Sequence, residues 1–103
     1  MEPIKVGLVG ITGYAGMELA RLLAVHPSMQ LVMACSRAEN GKPLGEYYPF
    51  LEKLPGCDVR ISQFSAEEAK EKCDLVFLAV PAGKAMKMAP VLLQAGVKAP
   101  QPR

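Results

Sequence analysis

The sequence predicts an α/β fold, a doubly wound parallel sheet with helices on both faces. Three observations lead to this prediction. Apolar runs typical of buried strands alternate with segments of helical periodicity along the chain. The first apolar run passes through a glycine-rich turn into the first helical segment. The chain has 103 residues, 50% hydrophobic and 21% charged, which is the size and composition of one globular domain.

The first part of the chain predicts a strand, a helix and a second strand. Ile4–Val9 is an almost continuous apolar run, as in strands that are covered on both faces. Apolar side chains recur at helical spacing over residues 14–25, and Pro27 ends this helix because the residue before a proline avoids helical angles. Met29–Cys35 is again almost entirely apolar. Together these segments form a βαβ unit of about 30 residues.

The middle of the chain predicts an irregular loop, a short strand and a helix. Residues 37–56 have no clean period and are rich in glycine and proline, so we expect an irregular loop, and loops this long are uncommon unless they have a function. A short strand is expected over residues 57–61. Ser65 and Glu68 have the spacing of a capping box, which predicts a helix through Lys72 with an ion pair between Glu68 and Lys72.

The last part predicts a further strand and helix. Residues 74–80 form the strongest remaining apolar run, and Pro81 closes it. Residues 83–95 are expected to be helical, with Pro90 marking a kink or a new first turn. Val97 begins another apolar strand near the end of the chain.

Composition and charge disfavour several classes of function. The net charge of +2 is too small for the basic surface that nucleic-acid binding needs. No apolar run approaches the roughly 20 residues that span a bilayer, and there is no signal peptide, so we expect a cytoplasmic protein with no membrane partner. The three cysteines, Cys35, Cys57 and Cys73, lack the spacing of a disulfide framework or a metal site, so we expect buried, reduced thiols and no metal.

The turn after the first strand carries the strongest functional signal. Residues 10–16 read Gly-Ile-Thr-Gly-Tyr-Ala-Gly. Gly10 permits a tight turn, Gly13 leaves backbone N–H groups open to a pyrophosphate, and Gly16 lets the helix and strand pack closely. N–H groups at the helix N-terminus then bind the anion. This context predicts a Rossmann-type dinucleotide-binding domain, and the alternative is a purely structural glycine turn.

Ser36 and Arg37 indicate which dinucleotide is bound. NAD-binding units place an Asp or Glu at the end of the second strand, about 20 residues beyond the loop. Here Ser36 and Arg37 occupy that position. A guanidinium can pair with a 2′-phosphate, and no carboxylate repels that anion. The sequence therefore predicts NADP rather than NAD, and the alternative is a solvated arginine.

These motifs resemble the N-terminal domain of the N-acetyl-gamma-glutamyl-phosphate reductase family. The resemblance rests on the Thr-Gly-Tyr form of the loop, on Ser36-Arg37 with the following Gly-Lys-Pro-Leu, and on the strand of residues 74–80. It implies an NADPH-dependent oxidoreductase of arginine biosynthesis, which reduces N-acetyl-glutamyl phosphate to the semialdehyde and is a homo-oligomer when complete. The residues that it implies for cofactor binding are Gly10, Thr12, Gly13, Tyr14, Ala15, Gly16, Ser36, Arg37 and Pro81.

The resemblance also implies a division of the protein. In that family a cysteine thiolate attacks the acyl phosphate and a histidine acts as acid and base. Both residues belong to a catalytic domain that this chain lacks, so we expect no catalytic residue in it and no activity from it alone. Residues 1–99 are then a partial NADP-binding domain and residues 100–103 an irregular tail. Two alternatives stay open: a domain like that of aspartate-semialdehyde dehydrogenases, and a non-catalytic nucleotide-sensing module.

Some residues outside these motifs are given structural roles. Tyr47, Tyr48 and Phe50 are expected to anchor the long loop onto the core, with a cofactor or partner surface as the alternative. Lys84 and Lys87 share one helix face and are assigned to solvent, with phosphate contact as the alternative.

Overall fold

A computed structural model describes residues 3–37, 40–80, 83, 84, 86–88 and 90. Within these residues the chain forms a four-stranded parallel sheet with helices on both faces, which confirms the predicted fold class. The elements in chain order are β1 (Ile4–Val9), α1 (Tyr14–Ala24), β2 (Met29–Cys35), α2 (Leu44–Tyr47), a 3-10 turn (Pro49–Leu51), β3 (Ile61–Ser62), α3 (Ala66–Lys72) and β4 (Leu75–Leu78).

The order of the strands in the sheet is β3-β2-β1-β4, and all neighbouring strands run parallel. The last four residues of β1 are buried, as its continuous apolar run predicts. From β1 the chain adds β2 and β3 on one side, and it then crosses to place β4 on the other side. A reversal of this kind opens a crevice at the carboxyl ends of the strands, where ligands bind in α/β sheets.

Two apolar clusters cover the two faces of the sheet. Val6 and Leu8 of β1 contribute to the cluster that also contains residues of α1 and α2. Val9 contributes to the second cluster, together with Ala69 of α3, and Met88 packs against it. Alternating side chains of one strand thus enter opposite cores, which requires a strand that is apolar on both faces.

The bounds of the first elements agree closely with the prediction. β1 and β2 begin and end at the predicted residues. α1 ends at Ala24, with Val25 as its C-cap, one residue before the predicted end. β4 covers only part of the predicted residues 74–80. Asp74 lies just before it, where its carboxylate accepts a hydrogen bond from the Lys5 N–H at 3.0 Å.

The strand expected over residues 57–61 is displaced. The observed strand is Ile61–Ser62, and the segment before it pairs with the start of α2 instead of with the sheet. Leu44 and Gly45 donate their N–H groups to the carbonyl oxygens of Val59 and Cys57, both at 2.8 Å. The carbonyl groups of this segment therefore accept hydrogen bonds from the start of α2. The segment does not join the sheet, so the alternation of side chains typical of a strand does not apply to it.

The stretch predicted to be irregular contains α2 and the 3-10 turn. Helices of three or four residues are too short to show a period, so the sequence does not reveal them. Leu44, Tyr48 and Leu51 are buried in the same apolar cluster as the buried residues of α1. The predicted anchoring is confirmed for Tyr48, whereas Phe50 is 46% exposed and only stacks against the Tyr48 ring.

The second half also contains the predicted capped helix. Ser65 accepts a hydrogen bond from the Glu68 N–H at 3.3 Å, and Lys72 lies 3.6 Å from the Glu68 carboxylate. The described positions from 83 onwards are helical, as expected. Pro81, the predicted strand at Val97 and the tail of residues 100–103 lie outside the described residues. In the described part, no helix has the length and apolar character needed to span a membrane.

Candidate functional site

Residues 10–16, here called the glycine loop, lead from β1 into α1. Gly10 has a φ of 91°, in the left-handed region that favours glycine, and a Cβ there would clash with the Ala79 carbonyl group. A Cβ on Gly16 would clash with the Gly10 carbonyl group. Gly13 is open, since a Cβ there would meet only the Gly10 oxygen, at 3.6 Å. The first and third glycines thus allow close packing, while the second leaves space in front of the loop.

Three backbone N–H groups of the glycine loop are used to hold its shape. Gly10 and Ile11 both donate to the carbonyl oxygen of Cys35, at 2.9 Å and 3.0 Å. Gly13 donates to the Gly10 carbonyl oxygen at 3.2 Å. The loop is therefore tied to the carboxyl end of β2 by main-chain hydrogen bonds.

A second set of N–H groups in the loop has no such use. Thr12, Tyr14, Ala15 and Gly16 donate their N–H groups to no acceptor among the residues that the structure describes. The last three belong to the first turn of α1, whose Gly13 N-cap makes no side-chain hydrogen bond. Unpaired N–H groups and the helix dipole make such a turn suited to an anion.

A cleft of about 340 Å³ opens beside the glycine loop, at the carboxyl ends of β1, β2 and β4. Its volume lies within the usual range for small-molecule sites, about 300–1,000 Å³. The residues that line the cleft are Val9, Gly10, Thr12, Gly13, Cys35, Ser36, Arg37, Phe64, Ala79, Val80, Lys84 and Met88.

The cleft brings together five of the residues predicted to bind a cofactor. These five are Gly10, Thr12, Gly13, Ser36 and Arg37. The other described members of the set do not line it: Tyr14 is 79% exposed, Ala15 is exposed, and Gly16 is buried under the loop. None of these three residues contributes a side chain to the lining of the cleft.

Ser36 and Thr12 connect two walls of the cleft. Their hydroxyl oxygens lie 3.1 Å apart, so one donates a hydrogen bond to the other. Ser36 is 7% exposed, and its N–H donates to the Ser62 carbonyl oxygen at 2.9 Å. This pair holds the end of β2 against the glycine loop, which the sequence did not indicate.

The charged groups on the cleft are cations. Arg37 and Lys84 line it, and both are exposed. The sequence predicts that Lys84 and Lys87 face solvent. Both are exposed, but Lys84 lines the cleft and Lys87 does not. Among the described lining residues there is no Asp or Glu. An anion in the cleft would therefore meet positive charge without opposing carboxylates.

The apolar wall of the cleft was missed by the sequence analysis. It contains Phe64 and Met88, which pack against the same cluster as Val9. Phe64 follows β3 by two residues, so the correct position of that strand would have placed this ring at the carboxyl edge of the sheet. Met88 belongs to the helical positions after β4, where helical spacing alone does not distinguish core from cleft.

Two of the cysteines are chemically protected. Burial raises the pKa of Cys35 to about 11, and burial likewise raises the pKa of Cys73 to about 11. Such thiols stay protonated near neutral pH and are poor nucleophiles. All three cysteines are free thiols, but the expected burial is wrong for Cys57, which lies in the turns before β3 and is half-buried.

We expect iodoacetamide to label Cys57 well before Cys35 and Cys73 in the folded protein at pH 8. A pKa raised from 9.0 to about 11 lowers the thiolate fraction of a buried cysteine at this pH about 100-fold, in addition to the loss of access. Mass spectrometry of the labelled peptides measures each rate. In denaturant the three rates should become similar, and comparable rates in the folded protein would contradict the burial described above.

Comparison with known proteins identifies the family. Residues 5–99 match the family model described as "Semialdehyde dehydrogenase, NAD binding domain". The match includes the glycine loop and, apart from Ile4, all four strands of the sheet in the described residues. The chain belongs to this family. The cleft therefore lies in a semialdehyde dehydrogenase NAD-binding domain.

Individual relatives agree with the family resemblance seen in the motifs. The chain is 46% identical over 97 residues to "N-acetyl-gamma-glutamyl-phosphate reductase" of Neisseria meningitidis serogroup C / serotype 2a, covering 94% of this chain and 27% of that protein. It is 49% identical over 96 residues to the protein of the same name from Janthinobacterium sp., covering 92% and 27%. The chain therefore spans 27% of the length of these curated relatives.

A solved structure confirms the architecture of this semialdehyde dehydrogenase NAD-binding domain. The crystal structure of aspartate semialdehyde dehydrogenase with NADP from Candida albicans superimposes with a TM-score of 0.77 at 25% identity. The match covers 97% of this chain and 29% of the other chain. The shared part is thus one portion of a larger enzyme in that protein.

Proposed function

We propose that this chain is the NADP-binding part of an N-acetyl-gamma-glutamyl-phosphate reductase. In the proposed reaction NADPH reduces N-acetyl-glutamyl phosphate to the semialdehyde, a step of arginine biosynthesis. The observation that carries the proposal is the cleft itself, where the glycine loop and Arg37 face a shared space and no carboxylate occurs among the described lining residues. The identity of 46% to a curated reductase of this name supports the choice of substrate.

The proposed cofactor position follows from the two kinds of donor. The pyrophosphate binds in front of Gly13 and accepts hydrogen bonds from the N–H groups of Thr12, Tyr14, Ala15 and Gly16, which have no acceptor among the described residues. Arg37 pairs with the 2′-phosphate beside Ser36. Gly10 shapes the turn, and Pro81 lies beside the bound cofactor.

We extend the proposal to the organisation of the protein. Residues 1–99 form the NADP-binding portion and residues 100–103 a tail, and catalytic residues come from outside this chain. The raised thiol pKa values of Cys35 and Cys73 support the assignment of no nucleophile to these two residues. The complete enzyme acts on a small-molecule substrate as a cytoplasmic homo-oligomer.

Titration with coenzymes tests the binding part of the proposal. NADPH fluorescence should show saturable binding, with NADH and ADP binding more weakly because neither carries a 2′-phosphate. A purely structural glycine turn would bind none of the three. Equal affinity for NADPH and NADH would contradict the role of Arg37 and leave a domain without preference between the coenzymes.

A second assay tests the substrate. The protein that carries this chain is supplied with NADP, phosphate and either N-acetyl-glutamate semialdehyde or aspartate semialdehyde, and NADPH formation is followed by absorbance. We expect oxidation of the N-acetyl-glutamate semialdehyde. Preference for aspartate semialdehyde would support the other dehydrogenase, and coenzyme binding without oxidation of either aldehyde would support a nucleotide-sensing module.

A further inference from the structure

We infer that Tyr48 is a positioning residue that aims one N–H group of the glycine loop at the ligand. The inference rests on the proposed function, because the ligand is the pyrophosphate of NADPH. Tyr48 does not line the cleft, and it lies between α2 and the 3-10 turn, in the stretch whose function the sequence left open.

The contact between Tyr48 and the loop is short and buried. The Tyr48 hydroxyl donates a hydrogen bond to the carbonyl oxygen of Ile11 at 2.6 Å, across 37 residues of sequence. Tyr48 is 9% exposed and Ile11 is fully buried. A buried carbonyl group needs a donor, and here a side chain from outside the loop supplies it.

This hydrogen bond fixes the direction of a neighbouring donor. The Ile11 carbonyl and the Thr12 N–H belong to one peptide group, and the described chain has no cis peptide bond. In a planar trans peptide the C=O and N–H bonds point in opposite directions. Because the carbonyl points at the buried hydroxyl, the Thr12 N–H points away from it. Thr12 lines the cleft, and this N–H has no acceptor among the described residues.

The Tyr48 ring is itself held in place by its neighbours. Its centroid lies 4.7 Å from that of Tyr47 in an edge-to-face arrangement, and 5.4 Å from that of Phe50. The ring also belongs to the cluster that contains Leu44 and Leu51. The hydroxyl therefore has a fixed position from which to orient the peptide group, and the long loop supports the glycine loop from behind.

The variant Tyr48→Phe tests this inference, because it removes the hydroxyl and keeps the ring. Without a donor for its carbonyl, the Ile11–Thr12 peptide can rotate, and the Thr12 N–H loses its alignment. We expect the Kd for NADPH to rise about tenfold, which is the effect of losing one hydrogen bond to a charged group. The Kd for inorganic pyrophosphate should rise by the same factor, since it uses the same loop.

Tyr47→Phe is the matched control. It removes a hydroxyl from the adjacent ring, and that hydroxyl makes no hydrogen bond within the part of the chain that the structure describes. Its Kd values should match those of the unaltered chain. All titrations are made well below the melting temperature of each variant. Under this condition a variant that only lowers the stability of the fold stays folded, and its Kd is unchanged. NMR should show a changed Thr12 amide shift in Tyr48→Phe before any ligand is added.

The outcomes separate the two proposals. If the unaltered chain binds NADPH and Tyr48→Phe binds it equally well, the inference is overturned and the proposed function stands. If the unaltered chain does not bind NADPH, the proposed function fails and this inference with it. Should Tyr48→Phe not fold, the Tyr48 hydroxyl proton of the unaltered chain decides by NMR. The inference is supported if this proton exchanges slowly with water and if NADPH slows the exchange further. It is overturned if the proton exchanges fast and NADPH leaves the rate unchanged.

Discussion

Replacing Arg37 by alanine is expected to weaken NADPH binding by about 10- to 100-fold, the effect of losing hydrogen bonds between two charged groups. NADH binding should change by less than about twofold, because NADH carries no phosphate for this side chain to meet. Arg37 is exposed at the rim of the cleft, so its removal leaves the core intact. Fluorescence titration with both coenzymes at one ionic strength measures the two effects, since salt screens such contacts.

Arg21→Ala is the control for the loss of charge. Arg21 is an exposed residue of α1 that pairs with Glu18 at 2.8 Å and does not line the cleft. It should leave both affinities unchanged. Lys84→Ala shows whether the second cation of the cleft contributes to the same phosphate. An equal loss of NADPH and NADH binding in Arg37→Ala would contradict its assignment to the 2′-phosphate.

Gly16→Ala is expected to destabilise the fold by about 3 kcal/mol or more, the scale of a forced overlap in a packed interior. The new Cβ would clash with the carbonyl group of Gly10 and would lie 2.9 Å from the Ile11 Cα. Backbone atoms are in the way, so no side-chain rotation relieves the overlap. Urea or thermal unfolding followed by circular dichroism measures the change, and we expect the melting temperature to fall by about 12 °C or more.

Gly13→Ala provides the matched comparison within the same loop. Gly13 has a φ of −83°, which alanine adopts freely, and a Cβ there would meet only the Gly10 oxygen at 3.6 Å. The free energy of unfolding should therefore change by less than about 0.5 kcal/mol. NADPH binding should still weaken about tenfold, because the methyl group occupies the space proposed for the pyrophosphate. A stable Gly16→Ala variant, or tight NADPH binding by Gly13→Ala, would contradict these assignments.

The sequence predicts the central part of the fold well, for a physical reason. β1 and β2 are covered on both faces, and a strand of this kind needs apolar residues at almost every position. The sequence therefore shows each of them as a nearly continuous apolar run with clear ends. β3 has only two residues, at the outer end of the sheet, and such a strand leaves no pattern. The short helices before it owe their existence to tertiary packing of Leu44 and Leu51, which no local spacing reports.

The same distinction separates the parts of the site. The sequence could indicate the glycine loop and Arg37 as candidates because each is a local motif at the end of a strand. Phe64 and Met88 line the cleft, and Tyr48 donates to the glycine loop, only because separate elements bring them there. The hydroxyl of Tyr48 reaches the loop across 37 residues, a relation that depends on the folded chain and not on any sequence period.

The carbonyl oxygen of Cys35 accepts hydrogen bonds from two residues of the glycine loop, and the residue after next in the chain is Arg37. Under the proposed function, the main chain from Cys35 to Arg37 thus joins the glycine loop, which binds the pyrophosphate, to the residue that binds the 2′-phosphate. Main-chain geometry therefore fixes where the Arg37 side chain begins relative to the glycine loop, and this exposed side chain spans the remaining distance to its phosphate. Pyrophosphate alone or 2′-phospho-AMP alone is then expected to make one of the two contacts. Only the complete coenzyme is long enough to make both at once.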